Sequence, residues 1–354
     1  MSPQNEVYSV DEEIISFFQK TSADRSSCDD LAQKLVGGTV APVAVQGSCS
    51  YSVYAGPDHE YVVQFRLKAL ELKQEIADLA SNVHGSLVPS VTSYGRLEGD
   101  DANEKEPLSV YVMSRVKGIS HLDFTLKQVL PSDSVEFCTW RENLISDFAG
   151  VFARTWKNPQ TVTQAVRESL YQRYEIDLRR LLTALPDRFQ SIIQQSIDAL
   201  PAVFSLPIVL LHKDFGVCNV MVDSDNNHLV GIIDWAEAEI GPFGTNLHSL
   251  QQFMSHYRLR VGWIRHSNYD SLHSTFWDGF SAGAEDGVLA EETIRTIRSA
   301  MVIGLLRAHG FTSRLANMPE PQPIRDDESG AYRMLGLDSL LINPATRLVD
   351  WDSR

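Results

Sequence analysis

The spacing of apolar and polar residues divides the chain into a mixed first third and a mainly helical remainder. Val10, Ile14, Ile15, Phe17 and Phe18 recur at helical spacing behind Ser9, a residue suited to cap a helix start. Cys28 to Val36 predicts a second short helix, stopped by Gly37-Gly38. From 39 to 66 the segment TVAPVAVQGSCSYSVYAGPDHEYVVQFR is rich in Val, Tyr and Ser, with turn signals at Gly47 and at Gly56-Pro57-Asp58. That pattern predicts three strands joined by two turns. Residues 67–83 predict a helix with Leu70, Leu72, Ile76, Leu79 and Ala80 on its apolar side. Two further strands are expected near Val88–Tyr94 and Ser109–Arg115, separated by the polar loop Gly99–Pro107.

After Gly118 helical periods dominate, at 134–157, 163–185, 187–200, 245–258, 271–283 and 290–309. They are interrupted by three short apolar runs, Ile208–Leu211, Val220–Val222 and Leu229–Ile233, joined by polar turns. The final stretch, with its Pro-rich piece Pro319–Pro323, reads as irregular. The expectation is an α+β fold: a small β-rich lobe with one main helix, then a larger mainly helical lobe with a β insert.

Composition narrows the function classes. The chain has 354 residues, which suits about two domains. Hydrophobic residues make up 43% and charged residues 22%, enough for a real core. The net charge of −15 argues against nucleic acid or an anionic membrane as the main partner. The longest apolar runs, such as Ala300–Leu306, fall far short of the roughly 20 residues that span a bilayer. The polar, acidic start MSPQNEVYSVDEE lacks the features of a signal peptide. Cys28, Cys49, Cys138 and Cys218 form no C-x-x-C pair, so a zinc or redox motif is not expected. A reduced cytoplasmic protein is the expectation.

The chemistry concentrates in Leu210–Leu247, LLHKDFGVCNVMVDSDNNHLVGIIDWAEAEIGPFGTNL. Here His212-x-Asp214 is followed by Asn219, and Asp234 ends the apolar run Leu229–Ile233. H-x-D-x₄-N alone arises by chance in ~4% of chains this long, so the strands around it carry much of the weight. If Val220–Val222 and Leu229–Ile233 form a hairpin, Asn219 and Asp234 emerge at the same end of it. An amide oxygen beside a carboxylate makes a hard oxygen site suited to Mg²⁺. Asp214, on the loop leading in, is placed to accept a proton from an attacking hydroxyl.

This segment resembles the catalytic and metal-binding loops of the aminoglycoside phosphotransferase/choline kinase family, which shares the protein-kinase-like fold. The likeness extends over most of the chain, with Gly118 at the crossing between lobes. It is nearest the fungal members, in which VVQFR- and DWAEA–GPFG-like segments occur. The resemblance implies an N-terminal helical extension over 1–36, a nucleotide-side N-lobe over 37–117 and a C-lobe over 118–354. It implies Asp214 as catalytic base, His212 as the residue positioning that loop, Asn219 and Asp234 as Mg²⁺ ligands, and ATP as phosphoryl donor. The acceptor is then a hydroxyl of a small molecule, with a place in fungal secondary metabolism, and the acceptor pocket falls within 240–283.

The N-lobe departs from the family pattern. The strand lysine that contacts nucleotide phosphates is replaced by Gln64, and Arg66 lies two residues on, hence on the same face. Arg66 is either a substitute phosphate ligand, with Glu71 or Glu75 as its acidic partner, or a surface cation. Gly47-Ser48-Cys49 is either a phosphate loop or a plain hairpin turn. By resemblance Met113 lies in the hinge that meets adenine. Gln64 also motivates a second expectation, a kinase fold without phosphotransfer: a ligand-binding regulator, or a cyclase or isomerase using the inter-lobe cleft. Trp140, Trp156, Trp263 and Trp277 are expected as packing residues.

Overall fold

The computed structural model describes residues 9–47, 49–98, 105–284, 289–313 and 318–348. The chain divides into two compact units, Met1–Val116 and Lys117–Arg354.

The first unit is built on one five-stranded sheet. Its elements are α1 (Val10–Phe18), α2 (Arg25–Val36), β1 (Ala41–Pro42), β2 (Ser50–Ala55), β3 (Tyr61–Leu67), α3 (Gln74–His84), β4 (Val91–Leu97) and β5 (Leu108–Ser114). The strand order is β1-β2-β3-β5-β4, every neighbouring pair antiparallel. Ser9 caps α1 by accepting from the Glu12 amide. Gly37 ends α2 in a left-handed conformation (φ 74°) that suits glycine. Strand alternation then sorts the side chains. Val63 and Phe65 face a core shared with Tyr51, Val53 and Val110 and with Ile14, Phe17, Cys28 and Ala32 of the two helices. The described segment 10–36 thus contributes part of the sheet's hydrophobic layer. Gln64 and Arg66 fall on the opposite face, in register with Ser52 and Tyr111, and with Ser50 and Ser109.

The helix expected from residue 67 begins only at Gln74, after a 3-10 turn over Lys68–Leu70. Two side chains from the sheet hold the intervening backbone. Arg66 Nε donates to the Leu70 carbonyl at 2.6 Å, and the Tyr111 hydroxyl accepts from the Leu72 amide at 3.1 Å. Backbone groups captured in this way are not available to a helical ladder.

The second unit contains β6 (Ile119–Ser120), α4 (His121–Lys127), α5 (Val135–Lys157), α6 (Gln164–Ala184), α7 (Gln190–Val203), β7 (Ile208–Leu211), β8 (Val220–Val222) and β9 (Leu229–Ile232). β10 (Glu239–Pro242), α8 (Gln251–Met254), β11 (Ser255–Arg258), β12 (Gly262–Arg265), α9 (Tyr269–Ala284), α10 (Glu291–His309) and α11 (Ala331–Leu337) complete it. Its strands form three small sheets: β6-β8-β9, β7-β10 and β11-β12. The expected helix 245–258 stops at Met254. Ser255–Arg258 instead pairs with Gly262–Arg265, and Gly262 at φ 88° supplies the left-handed turn residue a hairpin needs. The stretch expected to be irregular contains α11.

α5 and α9 pack closely because small residues meet. A Cβ on Gly279 or Gly283 would lie 2.9 or 2.8 Å from the Cβ of Ala149 or Ala153. That seam brings Phe148 and Phe152 under the segment preceding β8, where Phe215 lies 5.0 and 5.5 Å from them and 5.8 Å from Phe253. No helix among the described residues is long and apolar enough to cross a membrane.

Candidate active site

The loop between β7 and β8 carries His212, Asp214 and Asn219. Its geometry follows from what it can bury. Phe215 is inserted into the aromatic core (2% exposed), so its neighbour Asp214 is turned outward and exposed. Asn219 then closes the loop. Its side-chain nitrogen donates to the Asp214 carbonyl and to Asp214 Oδ2, both at 2.9 Å. Carboxylate and carbonyl oxygens only accept, so the nitrogen must face them, and the Asn219 amide oxygen is directed elsewhere. One oxygen of Asp214 is thereby held, and the other takes no hydrogen bond from a described residue.

The β8–β9 hairpin brings in the second carboxylate. The Ile233 amide donates to the Asn219 carbonyl at 2.9 Å, which puts Asp234 beside Asn219 at the strand ends. Asp234 is exposed and adopts a left-handed conformation (φ 60°, ψ 63°), an uncommon one for a residue with a Cβ. Strain of that kind marks functional positions. Trp235 Nε1 donates to the Ile232 carbonyl at 2.9 Å, which pins the turn beyond it.

His212 ties the two halves. Its ring is buried (4% exposed), and Nε2 lies 2.9 Å from the Ile233 carbonyl, one residue before Asp234. A carbonyl only accepts, so Nε2 carries the proton. Burial, the dominant influence, pushes the ring below the usual histidine range and keeps it neutral. The Trp235 ring packs edge-on at 4.7 Å. His212 does not face outward; it holds the catalytic-type loop to the strand that presents Asp234.

The donor set fits a small hard cation. Asn219 and Asp234 supply an amide oxygen and a carboxylate, and Mg²⁺ is usually held by only one or two protein groups, with water and phosphate oxygens completing the shell. Among the described residues no group of three or more His, Cys, Asp or Glu is placed to hold a metal.

In the first unit, Gln64 and Arg66 are joined: Arg66 Nη1 donates to Gln64 Oε1 at 3.0 Å, and Gln64 Nε2 to Ser52 Oγ at 3.1 Å. Arg66 is only 5% exposed, so the surface-cation reading is corrected. Two hydrogen bonds satisfy part of the buried guanidinium's donor demand: one to the Leu70 backbone carbonyl and one to the Gln64 side-chain amide oxygen. Neither candidate acid is shown paired with it. Glu71 accepts from Ser109 at 2.6 Å and pairs with Arg96 at 3.1 Å, and these hydrogen bonds hold its carboxyl below the usual range. Glu75 is exposed in the first turn of α3. Met113 is half-buried on β5, in register with Val62 and Val91. Gly47 is exposed and its carbonyl accepts from the Ser50 amide; Ser48 lies outside the described residues.

Two supports escaped the sequence reading. Gln46 staples the Gly47 turn, donating to the Val43 and Ser52 carbonyls while accepting from the Ser52 amide. Asn227 pins the far turn of the catalytic-type hairpin. It is buried at φ 59°, donates to the Trp140 carbonyl at 3.0 Å and lies 3.1 Å from His121 Nδ1. The available signal was the Asp/Asn-rich run Asp223–Asn227, since asparagine tolerates left-handed backbone.

This arrangement can be set beside known proteins. The fold is that of the protein-kinase-like phosphotransferases. A protein of Ralstonia eutropha JMP134 that carries the provisional description aminoglycoside phosphotransferase superposes with a TM-score of 0.54 at 13% identity, over 89% of this chain and 94% of that one. The GDP complex of aminoglycoside 2'-phosphotransferase-IIIa gives 0.49 at 14% identity over 79% and 88%, and a glucosamine kinase 0.47 at 13% over 80% and 79%. No curated protein matches the chain. The profile described as APH, phosphotransferase enzyme family, matches residues 44–262, which include β2, β3 and the whole His212–Asp234 segment. By that match the chain belongs to the phosphotransferase enzyme family.

Proposed function

We propose that the protein is an ATP- and Mg²⁺-dependent kinase that phosphorylates a hydroxyl of a small molecule. The observation that carries this reading is the Asn219–Asp214 link at the mouth of the β8–β9 hairpin. Asp214 is the base: its unheld oxygen takes the proton of the acceptor hydroxyl as the hydroxyl oxygen bonds to the γ-phosphorus, the bond from that phosphorus to the β-phosphate oxygen breaks, and ADP leaves. Asn219 fixes the rotamer of that carboxylate, so the base is oriented before the acceptor arrives. The Asn219 oxygen and Asp234 would hold Mg²⁺, which when bound neutralises charge on the transferred phosphoryl group. His212 is a positioning residue that keeps the Asp214 loop and the Asp234 strand in one register through the Ile233 carbonyl.

A second reading, a kinase fold that binds its ligand without transfer, is favoured by the inward commitments of Arg66 and by Gln64 at the lysine position. Phosphoryl transfer from γ-labelled ATP to a panel of aminoglycosides, amino sugars and amino alcohols separates the two. Asp214→Ala is expected to lose about 10²–10⁴-fold in kcat while keeping nucleotide affinity. Stabilisation by MgATP with no transfer to any acceptor supports the second reading, and transfer undiminished in Asp214→Ala removes the assigned base.

A further inference from the structure

α8, α9 and α10 flank a pocket that no residue of His212–Asp234 lines and whose walls include Met254, Tyr269, Phe276, Trp277 and Met301. Three aromatic rings and two thioethers make a soft apolar lining that adapts to a ligand body of irregular shape. The charged and polar groups are few and convergent. Arg298, half-buried at the pocket, lies with its guanidinium 5.4 Å from the centre of the Trp277 ring and makes no ion pair or hydrogen bond with a described residue. A guanidinium stacked on a ring by its face keeps its in-plane N–H edges for a carboxylate.

His273 adds a donor. The Trp277 indole N–H lies 3.1 Å from His273 Nε2, and an indole nitrogen only donates. His273 therefore accepts at Nε2 and carries its proton on Nδ1, which bonds no described residue. Burial, then the charges of Arg298 and Arg265, push this ring below the usual histidine range, while exposed Asp270 acts weakly the other way. Arg265 stands behind the wall, 4.0 Å from the centre of the Tyr269 ring, and the Tyr269 hydroxyl is engaged by Gln251 at 3.0 Å. In a chain of net charge −15, an apolar pocket with Arg298 on its wall and Arg265 behind it runs against the general field and selects anions.

We propose that this pocket binds an apolar carboxylate, its hydrocarbon body between Met254, Tyr269, Phe276 and Met301 and its carboxylate on the edge of Arg298 and on His273 Nδ1. One unpaired guanidinium and one N–H match a two-oxygen monoanion better than a phosphate, which presents more acceptors than these donors fill. The assignment does not rest on the role of Asp214.

Calorimetric titration of the full chain with hydrocinnamate and with its uncharged counterpart, hydrocinnamyl alcohol, tests it. Hydrocinnamate is expected to bind at least about tenfold more tightly than the alcohol. Arg298→Gln is expected to erase that difference, Arg298→Lys to keep part of it, and Met301→Trp to exclude both probes by filling the pocket. Asp214→Ala is expected to bind hydrocinnamate as the wild type does, which separates this result from the fate of the phosphotransfer reading. Equal affinity for the two probes, unchanged preference in Arg298→Gln, or no binding at ~10 mM hydrocinnamate overturns the proposal.

Discussion

Asn219 holds Asp214 at two points, its side-chain nitrogen lying 2.9 Å from both the carbonyl oxygen and Oδ2 of that residue. On the function proposed above, a single amide orients the base with its nitrogen, while its oxygen is left for Mg²⁺. Neither function can be altered without disturbing the other.

Substitution of Asn219 by Asp is the sharpest probe of that coupling. It puts a second carboxylate within hydrogen-bond reach of Asp214, and like charges so close cannot both ionise freely. The variant is expected to shift the lower limb of the kcat–pH profile upward relative to wild type. An unshifted profile at full activity would show that the link is not part of the mechanism.

Asp234 separates strain from chemistry. In its left-handed conformation a Cβ costs about 1–2 kcal/mol, which glycine does not incur. Asp234→Gly is therefore expected to lose phosphoryl transfer while unfolding at the same or higher urea concentration. Asp234→Ala is expected to lose both transfer and about 1 kcal/mol relative to the glycine variant. Urea midpoints of the three proteins check this.

Arg66 is held inside the sheet of the first unit, so its removal is a stability event first. Arg66→Ala orphans the Leu70 carbonyl and is expected to lower the unfolding free energy by about 1–3 kcal/mol. Arg66→Lys keeps the charge but not the Nε–H donor, and should recover only part of that loss. Denaturation curves with nucleotide absent make the comparison.

Acid sensitivity follows from buried neutral histidines. Burial lowers His248 to about 3, and His121 and His309 to about 4, against an unfolded value near 6.5. Between those limits the unfolded chain binds protons that the folded chain does not, so stability rises with pH. The contribution is complete above about pH 6.5 and drains away as pH falls toward 4. Unfolding free energies at stepped pH are expected to drop across that window, with a shallower slope in His248→Gln.

The catalytic-type segment was legible because short connections leave little freedom. A two-residue step from His212 to Asp214, a tight loop to Asn219 and a three-residue strand pair fix Asn219 beside Asp234 with no long-range information. The β11–β12 hairpin was not legible. Leu247, Leu250, Phe253 and Met254 repeat at helical spacing, and only the left-handed turn at Gly262 redirects the following residues into strands. The burial of Arg66 was equally hidden, because one group that holds it is the Leu70 backbone carbonyl, which residue type does not reveal. Gln46 and Asn227 escaped for the same reason: much of their hydrogen bonding is to backbone groups.

On the proposed function, Asn219 and Asp234 hold a divalent ion against a nucleotide. Calorimetric titration with ATP, in Mg²⁺ and then in EDTA, on wild type and Asp234→Gly, reads this coupling. Wild-type affinity is expected to fall at least about tenfold on Mg²⁺ removal, and the variant to be indifferent to Mg²⁺. Nucleotide binding in the variant that still depends on Mg²⁺ as in the wild type, or no ATP binding by the wild type, removes Asn219 and Asp234 as the ion's ligands.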